Sequence, residues 1–288
     1  MVPPYLIVIS EPDPVASLVA NEWGTLPATG DHVEGAAIRR VDATTLELRR
    51  PAHHIHDEAL DSRLPSRLRA ERPTLIFPSI HKSEQNVVCL TVHALGNLGP
   101  HAELGGRPST VSPADPRSMA AVLRRLSEEG RGVGLTATYE ATHHGPELGL
   151  PSFFVEIGYG TQPGPPPEAV RVLGRALRAI SPDPSDRVAL GIGGGHYAPH
   201  FSDLALRRHW ALGHIVSRHA LDALDSATAR SAFEASPDAQ GILYARAQDA
   251  NHPALAGLGP RLRDSDAPRR GEEGGGSPSI PDVRRAGT

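Results

Sequence analysis

The stretch Thr138 to Pro146, TYEATHHGP, sets a glutamate three and four residues ahead of two adjacent histidines and then breaks the chain with Gly-Pro. Such side chains can hold a divalent cation, or pass protons at neutral pH. A second stretch, Gly191 to Pro199, GIGGGHYAP, puts three consecutive glycines ahead of a histidine. Glycine tolerates positive φ and leaves the backbone open to close approach, so its amides can meet a phosphate, a ribose or an oxyanion. Neither stretch is a standard motif. EATHH lacks the HExxH zinc spacing, and the glycine run is not the dinucleotide fingerprint, because Pro199 and a helix-like run from Leu204 come only later.

These residues need elements to position them. Tyr5 to Ser10, Thr74 to Ile80, Val87 to Leu95, Val133 to Glu140, Ser152 to Gly158 and Arg187 to Gly193 are short apolar or β-branched runs that read as buried strands. Between them Pro14 to Trp23, Pro116 to Glu129, Pro167 to Ile180 and Leu204 to Ile215 read as helices, several opened by a proline in the first turn. The alternation predicts an α/β protein with a mostly parallel sheet flanked by helices. His81, His93, His143, His144 and His196 then fall at strand ends, with Glu140 and Glu156 near the ends of their own strands. Strand ends of a parallel sheet share one edge, so residues distant in sequence are expected to meet in one pocket. Continued strand geometry would point His143 and His144 to opposite faces, whereas a turn at Gly145-Pro146 lets both imidazoles reach one side.

Composition limits the chemistry further. The chain has 288 residues, 39% of them hydrophobic, enough for a sizeable core. No apolar run approaches the roughly 20 residues needed to span a bilayer, and MVPPYLIVIS lacks a basic region and a cleavage site, which predicts a cytoplasmic protein away from the membrane. The single cysteine, Cys89, excludes an intramolecular disulfide and a Cys-rich zinc motif, so a metal would rely on His, Asp or Glu. With a formal net charge of -4, no global positive field points to nucleic acid. The segment from about Asp264 to Thr288, rich in Gly, Pro and charge, reads as a disordered tail, leaving residues 1–263 as a single catalytic domain.

Three blocks resemble the archaeal and plant type of D-aminoacyl-tRNA deacylase: Leu75 to Asn97, with LIFPSIHKSEQNVVCLTVHALGN; Thr138 to Gly158, with EATHHGP and PSFFVEIG; and Val188 to Ile215, with GIGGGHYAP. The resemblance implies an α/β fold similar to peptidyl-tRNA hydrolases and zinc carboxypeptidases. It also implies hydrolysis of the ester between a D-amino acid and the 3′ end of tRNA, with Zn2+ as cofactor. The chain departs from the family pattern at Ile80, where members often carry Arg, at Tyr159-Gly160, at His200, where Lys is common, and in lacking a downstream Trp.

On that resemblance, His81, His93, His143, His144 and Glu156 are candidate zinc ligands, and Glu140, His143, His144 and His196 are candidate acid-base groups. The overlap leaves individual roles open. Lys82, Thr142, Gly193, Gly194, Gly195 and Tyr197 are the expected substrate contacts. Arg117, Arg124, Arg125, Arg207, Arg208 and Lys82 are candidates for a local cationic surface holding D-aminoacyl-tRNA, and the protein is expected to act as a monomer. Two other classes fit the residues less closely: a zinc peptidase or nucleoside-processing enzyme of related fold, and an RNA-binding protein without catalysis.

Overall fold

The computed structural model describes residues 4–82, 88–160 and 163–270. Its strands are β1 (Tyr5–Ser10), β2 (Ala28–Val33), β3 (Ala36–Arg40), β4 (Thr45–Arg50), β5 (Thr74–Lys82), β6 (Cys89–Ala94), β7 (Gly96–Asn97), β8 (Thr110–Val111), β9 (Thr136–Tyr139), β10 (Ser152–Tyr159), β11 (Arg187–Ile192), β12 (Trp210–Val216) and β13 (Ala239–Tyr244). Its α-helices are α1 (Pro14–Asn21), α2 (Ser66–Ala70), α3 (Pro116–Arg131), α4 (Pro167–Ala176), α5 (Pro199–Arg207), α6 (Arg218–Leu221) and α7 (Ser226–Glu234). The expected α/β architecture is present, as a mixed and mostly parallel central sheet flanked by helices.

An eight-stranded sheet runs in the order β2-β3-β4-β1-β5-β10-β6-β9. Its centre, β4-β1-β5-β10, is parallel, as continuous apolar strands buried on both faces should be. Strand β6 pairs antiparallel with β10, and β9 runs parallel to β6. A second sheet, β12-β11-β13, is parallel throughout. Helices α1, α3 and α4 open with a proline in the first turn, and the side chains of Asp13 and Asp115 cap α1 and α3.

Two expectations fail locally. The run Leu204 to Ile215 is not one helix: α5 ends at Arg207 and WALGHIV forms β12, every residue of it buried beside β11. That apolar run shows no helical stripe because both faces of the strand are covered. The packed chain also continues past the tail boundary expected at Asp264. Ala267 is fully buried, the indole of Trp210 donates to the Asp264 carbonyl, and Arg270 pairs with Asp183 and Asp186. Residues 271–288 lie outside the described residues.

One face of the large sheet changes character along its strands. In β5 the residues on this face are Leu75, Phe77, Ser79 and His81, and in β10 they are Phe154, Glu156 and Gly158. Phe154 lies opposite His93 of β6, and Glu156 opposite Thr91. The lower half of the face therefore joins an apolar cluster around Phe77 and Phe154, while the upper half is polar.

Candidate functional site

The polar half is a cage of imidazoles and carboxylates. His81 stands at the end of β5, Glu156 and His93 come from adjacent strands, and Glu140 follows β9, its amide bonded to the Val92 carbonyl. His196 arrives from the second sheet, because Ala141 donates to the His196 carbonyl and Ala198 to that of Tyr139. The expected gathering of these residues is thus met, but across the face of a mixed sheet rather than along one parallel edge. The antiparallel run of β6 sets His93 level with Phe154, well below His81.

Chain reversal brings the adjacent histidines together. His144 adopts φ of 44°, and the Gly145-Pro146 peptide is cis. The rings of His143 and His144 lie 4.5 Å apart, and that of His93 is 4.1 Å from His143. Phe154 forms their floor, stacked on His93 at 5.2 Å and edge-on to His144 at 4.8 Å. Gly158 leaves the room above: a Cβ there would sit 2.7 Å from the Cys89 sulfur and 3.6 Å from the His81 ring.

Tautomers follow from the hydrogen bonds. Nδ1 of His93, His143 and His144 each faces a backbone carbonyl, of Ala94, Ala141 and Gly145, at 3.2, 2.9 and 2.8 Å. A carbonyl only accepts, so each Nδ1 carries a proton, and in His143 and His144, which burial keeps neutral, Nε2 presents a lone pair. Facing those lone pairs are carboxylates without donors. Both oxygens of Glu140, Oε2 of Glu156 and Nε2 of His93 are buried and unpartnered among the described residues. Such groups are costly to leave bare.

The spacing accounts for them. His81 Nδ1 is 3.5 Å from Glu140 and 3.4 Å from Glu156, His93 Nε2 is 3.5 Å from Glu156, and Glu140 is 3.7 Å from His143 Nε2 and 3.5 Å from His196 Nε2. These gaps exceed ordinary hydrogen bonds. They match the separation of about 3.4 Å between two ligand atoms on one tetrahedral zinc ion. Three overlapping donor groups fit a cation: His81, Glu140, His143 and His196; His93, His143 and His144; and His93, Glu140, His143 and Glu156. His143 belongs to all three.

Electrostatics divides the histidines. Burial opposes charge on His81 and His93, but Glu156 and Glu140 outweigh it and hold both above the ordinary imidazole range. Glu156, despite its burial, is held well below the carboxylate range by His81 and His93. Burial together with His93 keeps His143 well below its ordinary value and pushes His144 down to about 4. The last two are therefore neutral, the form in which imidazole binds metal.

The expected substrate contacts are placed differently from one another. Tyr197 rests edge-on against His81 and His196 at the rim, and its hydroxyl lies 3.8 Å from the Cys89 sulfur. The hydroxyl of Thr142 is committed internally, accepting from the Ile215 amide and bonded to His214 Nδ1 at 3.0 Å. Gly193 and Gly194 have φ of 99° and 85°, and Gly195 is exposed. The side chain of Lys82 lies outside the described residues.

The arginines expected to form a cationic surface are largely engaged. Arg124 makes two bonds to buried Asp186, and Arg117, Arg125 and Arg207 pair with Asp238, Glu129 and Asp203. Arg208 donates to the Ala267 carbonyl. The partners of Arg117, Arg124 and Arg208 are remote in sequence, whereas Arg125 and Arg207 pair with carboxylates four residues away on their own helices.

Beneath the cage lies a group that sequence reading passed over. Ser79 donates to Asp13 at 3.0 Å and bonds His54 Nε2 at 3.0 Å, while Asp13 also accepts from the amides of Val15, Ala16 and Ile80. Serine, histidine and aspartate suggest a nucleophile triad, but the order is wrong for one. The aspartate holds the serine, not the histidine, whose Nδ1 is unpartnered among the described residues. Burial and His53 push His54 down to about 3. The group therefore braces the end of β5 beside His81. The Asp-Pro pair at the head of α1 was the one sequence sign of it.

A family model described as D-aminoacyl-tRNA deacylase matches residues 69–254, a span that holds every cage residue. The chain is 34% identical over 243 residues to a D-aminoacyl-tRNA deacylase of Thermoplasma acidophilum, covering 84% of this chain and 90% of that protein. It is 32% identical over 242 residues to the protein of the same name in Methanosarcina mazei, covering 80% of each. Among solved structures it is similar to a conserved protein of unknown function, AF0625, with a TM-score of 0.75, 26% identity and coverage of 89% and 90% of the two chains. By the family match and the extent of these likenesses, the chain belongs to the D-aminoacyl-tRNA deacylase family.

Proposed function

We infer that this protein hydrolyses the ester joining a D-amino acid to the 3′ end of tRNA, releasing both, with zinc as its cofactor. One observation carries the chemical part: a buried carboxylate, Glu140, with neither oxygen bonded among the described residues, set within 3.7 Å of imidazole nitrogens from three separate segments. His93, His143, His144 and Glu156 would hold the cation, the Nδ1 of each imidazole being tied to a backbone carbonyl. A bound zinc ion supplies an activated water near neutral pH and charge stabilisation for an oxyanion.

The remaining work falls to this chain's own side chains. Glu140 would accept the proton of the attacking water on Oε2, and His196, whose side chain is 44% exposed, would pass a proton from Nε2 to the departing 3′ oxygen. His81, set 3.5 Å from Glu140 and 3.4 Å from Glu156, favours the ionised form of Glu156. Tyr197 narrows the rim beside both imidazoles. No helix among the described residues is long and apolar enough to cross a membrane.

The test is deacylation by purified protein of matched D- and L-aminoacyl-tRNA, with and without a chelator. Rapid release from the D ester, slow release from the L ester and recovery of rate on adding zinc are expected. Equal rates on both enantiomers would exclude chiral selection, and full activity after exhaustive chelation would exclude the metal.

A further inference from the structure

The second sheet ends beside the cage, and its strand ends carry a different chemistry. Strands β12, β11 and β13 run parallel, so Val216, Ile192 and Tyr244 finish on one edge, where open α/β sheets bind ligands. Immediately beyond them stand Ser217-Arg218, Gly193-Gly194 and Ala245-Arg246. The Arg218 amide donates to the Gly194 carbonyl at 2.9 Å and the Ala245 amide to the Ile192 carbonyl at 2.8 Å, so the arginines flank the glycine loop from either side. Two strand spacings separate their backbones by about 10 Å.

Both arginines are exposed, and neither forms an ion pair or side-chain hydrogen bond among the described residues. That sets them apart from the engaged Arg117, Arg124, Arg125 and Arg207. The carboxylate that meets the loop, Asp249, is buried against Gly193, where a Cβ would come within 2.3 Å of it. Over Gly194 a Cβ would meet nothing within 4 Å among the described residues, so the strip between the arginines is open backbone. Two residues on, the same loop delivers His196 to Glu140.

We propose that Arg218 and Arg246, with the open strip of Gly194 between them, form the docking surface for the phosphate backbone of the RNA whose 3′ end enters the cage. The inference rests on the deacylase reading for the identity of the RNA. Guanidinium groups pair with phosphate oxygens in a bidentate fashion, and a bare glycine backbone lets the chain lie close. The loop then links backbone docking to the ester. Such contacts position the RNA without reading its sequence.

The experiment measures binding of uncharged tRNA across a salt series for the wild type, Arg218→Ala, Arg246→Ala and the double variant, with Arg230→Ala, an exposed arginine on α7, as control. Each single variant should bind about tenfold more weakly, and the slope of log K against log salt should flatten by about 0.7 for each phosphate left without its guanidinium. On charged tRNA the loss should fall on KM with kcat retained. Unchanged affinity and slope in the double variant would overturn the proposal, as would equal weakening by Arg230→Ala or a loss confined to kcat. If the wild type binds tRNA yet releases no amino acid from it, the deacylase reading fails while the binding series still decides the surface.

Discussion

Replacing His143 or His144 by alanine separates two neighbours that the fold treats differently. His143 offers its Nε2 to all three donor groups of the cage and stands 3.7 Å from Glu140, whereas His144 enters one group only, beside His93. At zinc concentrations a thousandfold above Kd, the wild type should gain about 4 kcal/mol from the metal. For a domain of this size, that gain raises Tm by about 8–16 °C. Loss of a shared ligand that weakens binding about a thousandfold would reduce the gain in His143→Ala to about 0.4 kcal/mol, a shift of about 1 °C. If His144→Ala weakens binding only 10- to 100-fold, several degrees of the shift remain. Metal-free, each variant loses one hydrogen bond to a carbonyl, worth about 1 kcal/mol, so their melts should stay close to that of the chelated wild type. Thermal scans of chelated and zinc-loaded proteins, with metal counted by elemental analysis, decide the matter. A full zinc-induced shift in His143→Ala would remove His143 from the ligand set, and equal metal loss in both variants would mean the two imidazoles are equivalent.

Glu140→Gln keeps the shape of the side chain and removes its charge; kcat should fall about 10²- to 10⁴-fold with secondary structure intact, as circular dichroism beside the deacylation assay will show. Burial pushes His144 and His214 down to about 4 from 6.5, so their contribution to stability is complete above pH 6.5 and is lost as pH falls toward 4. Each should remove about 2 kcal/mol from the metal-free protein between pH 7.5 and pH 5, partly offset by His81 and His93, whose raised values favour the folded state at acid pH. Urea titrations of chelated protein at both pH values measure the difference, and His214→Gln should shrink it. Arg270→Ala leaves Asp186 with Arg124 and should cost about 1–3 kcal/mol, read as a lowered urea midpoint with deacylation unaffected.

Much of the cage was legible because polar residues in otherwise apolar strands are conspicuous: Glu156 within SFFVEIG and His93 within VVCLTVHAL have no reason to be buried unless something pairs with them. The Gly145-Pro146 break correctly signalled that His143 and His144 could turn to one side. What escaped was pairing direction. Nothing in the residues of β6 says that it runs against β10, so the site was expected along an edge. WALGHIV passed for the end of a helix because a strand covered on both faces has no alternation to betray it. The arginines escaped for a third reason, since a side chain's partner is set by the fold, and Asp186 lies 62 residues from Arg124.

The residues inferred to hold the cation are far apart along the chain: His93 and Glu156 are separated by 63 residues. Closing so long a loop to bind one ion is entropically costly in an unfolded chain, unlike the closely spaced ligands of a zinc finger. On the zinc reading, the ion would meet a scaffold that is already assembled. Its presence should leave the refolding rate nearly unchanged and slow the unfolding rate, so that the metal acts on the lifetime of the native state and not on the route by which it is reached.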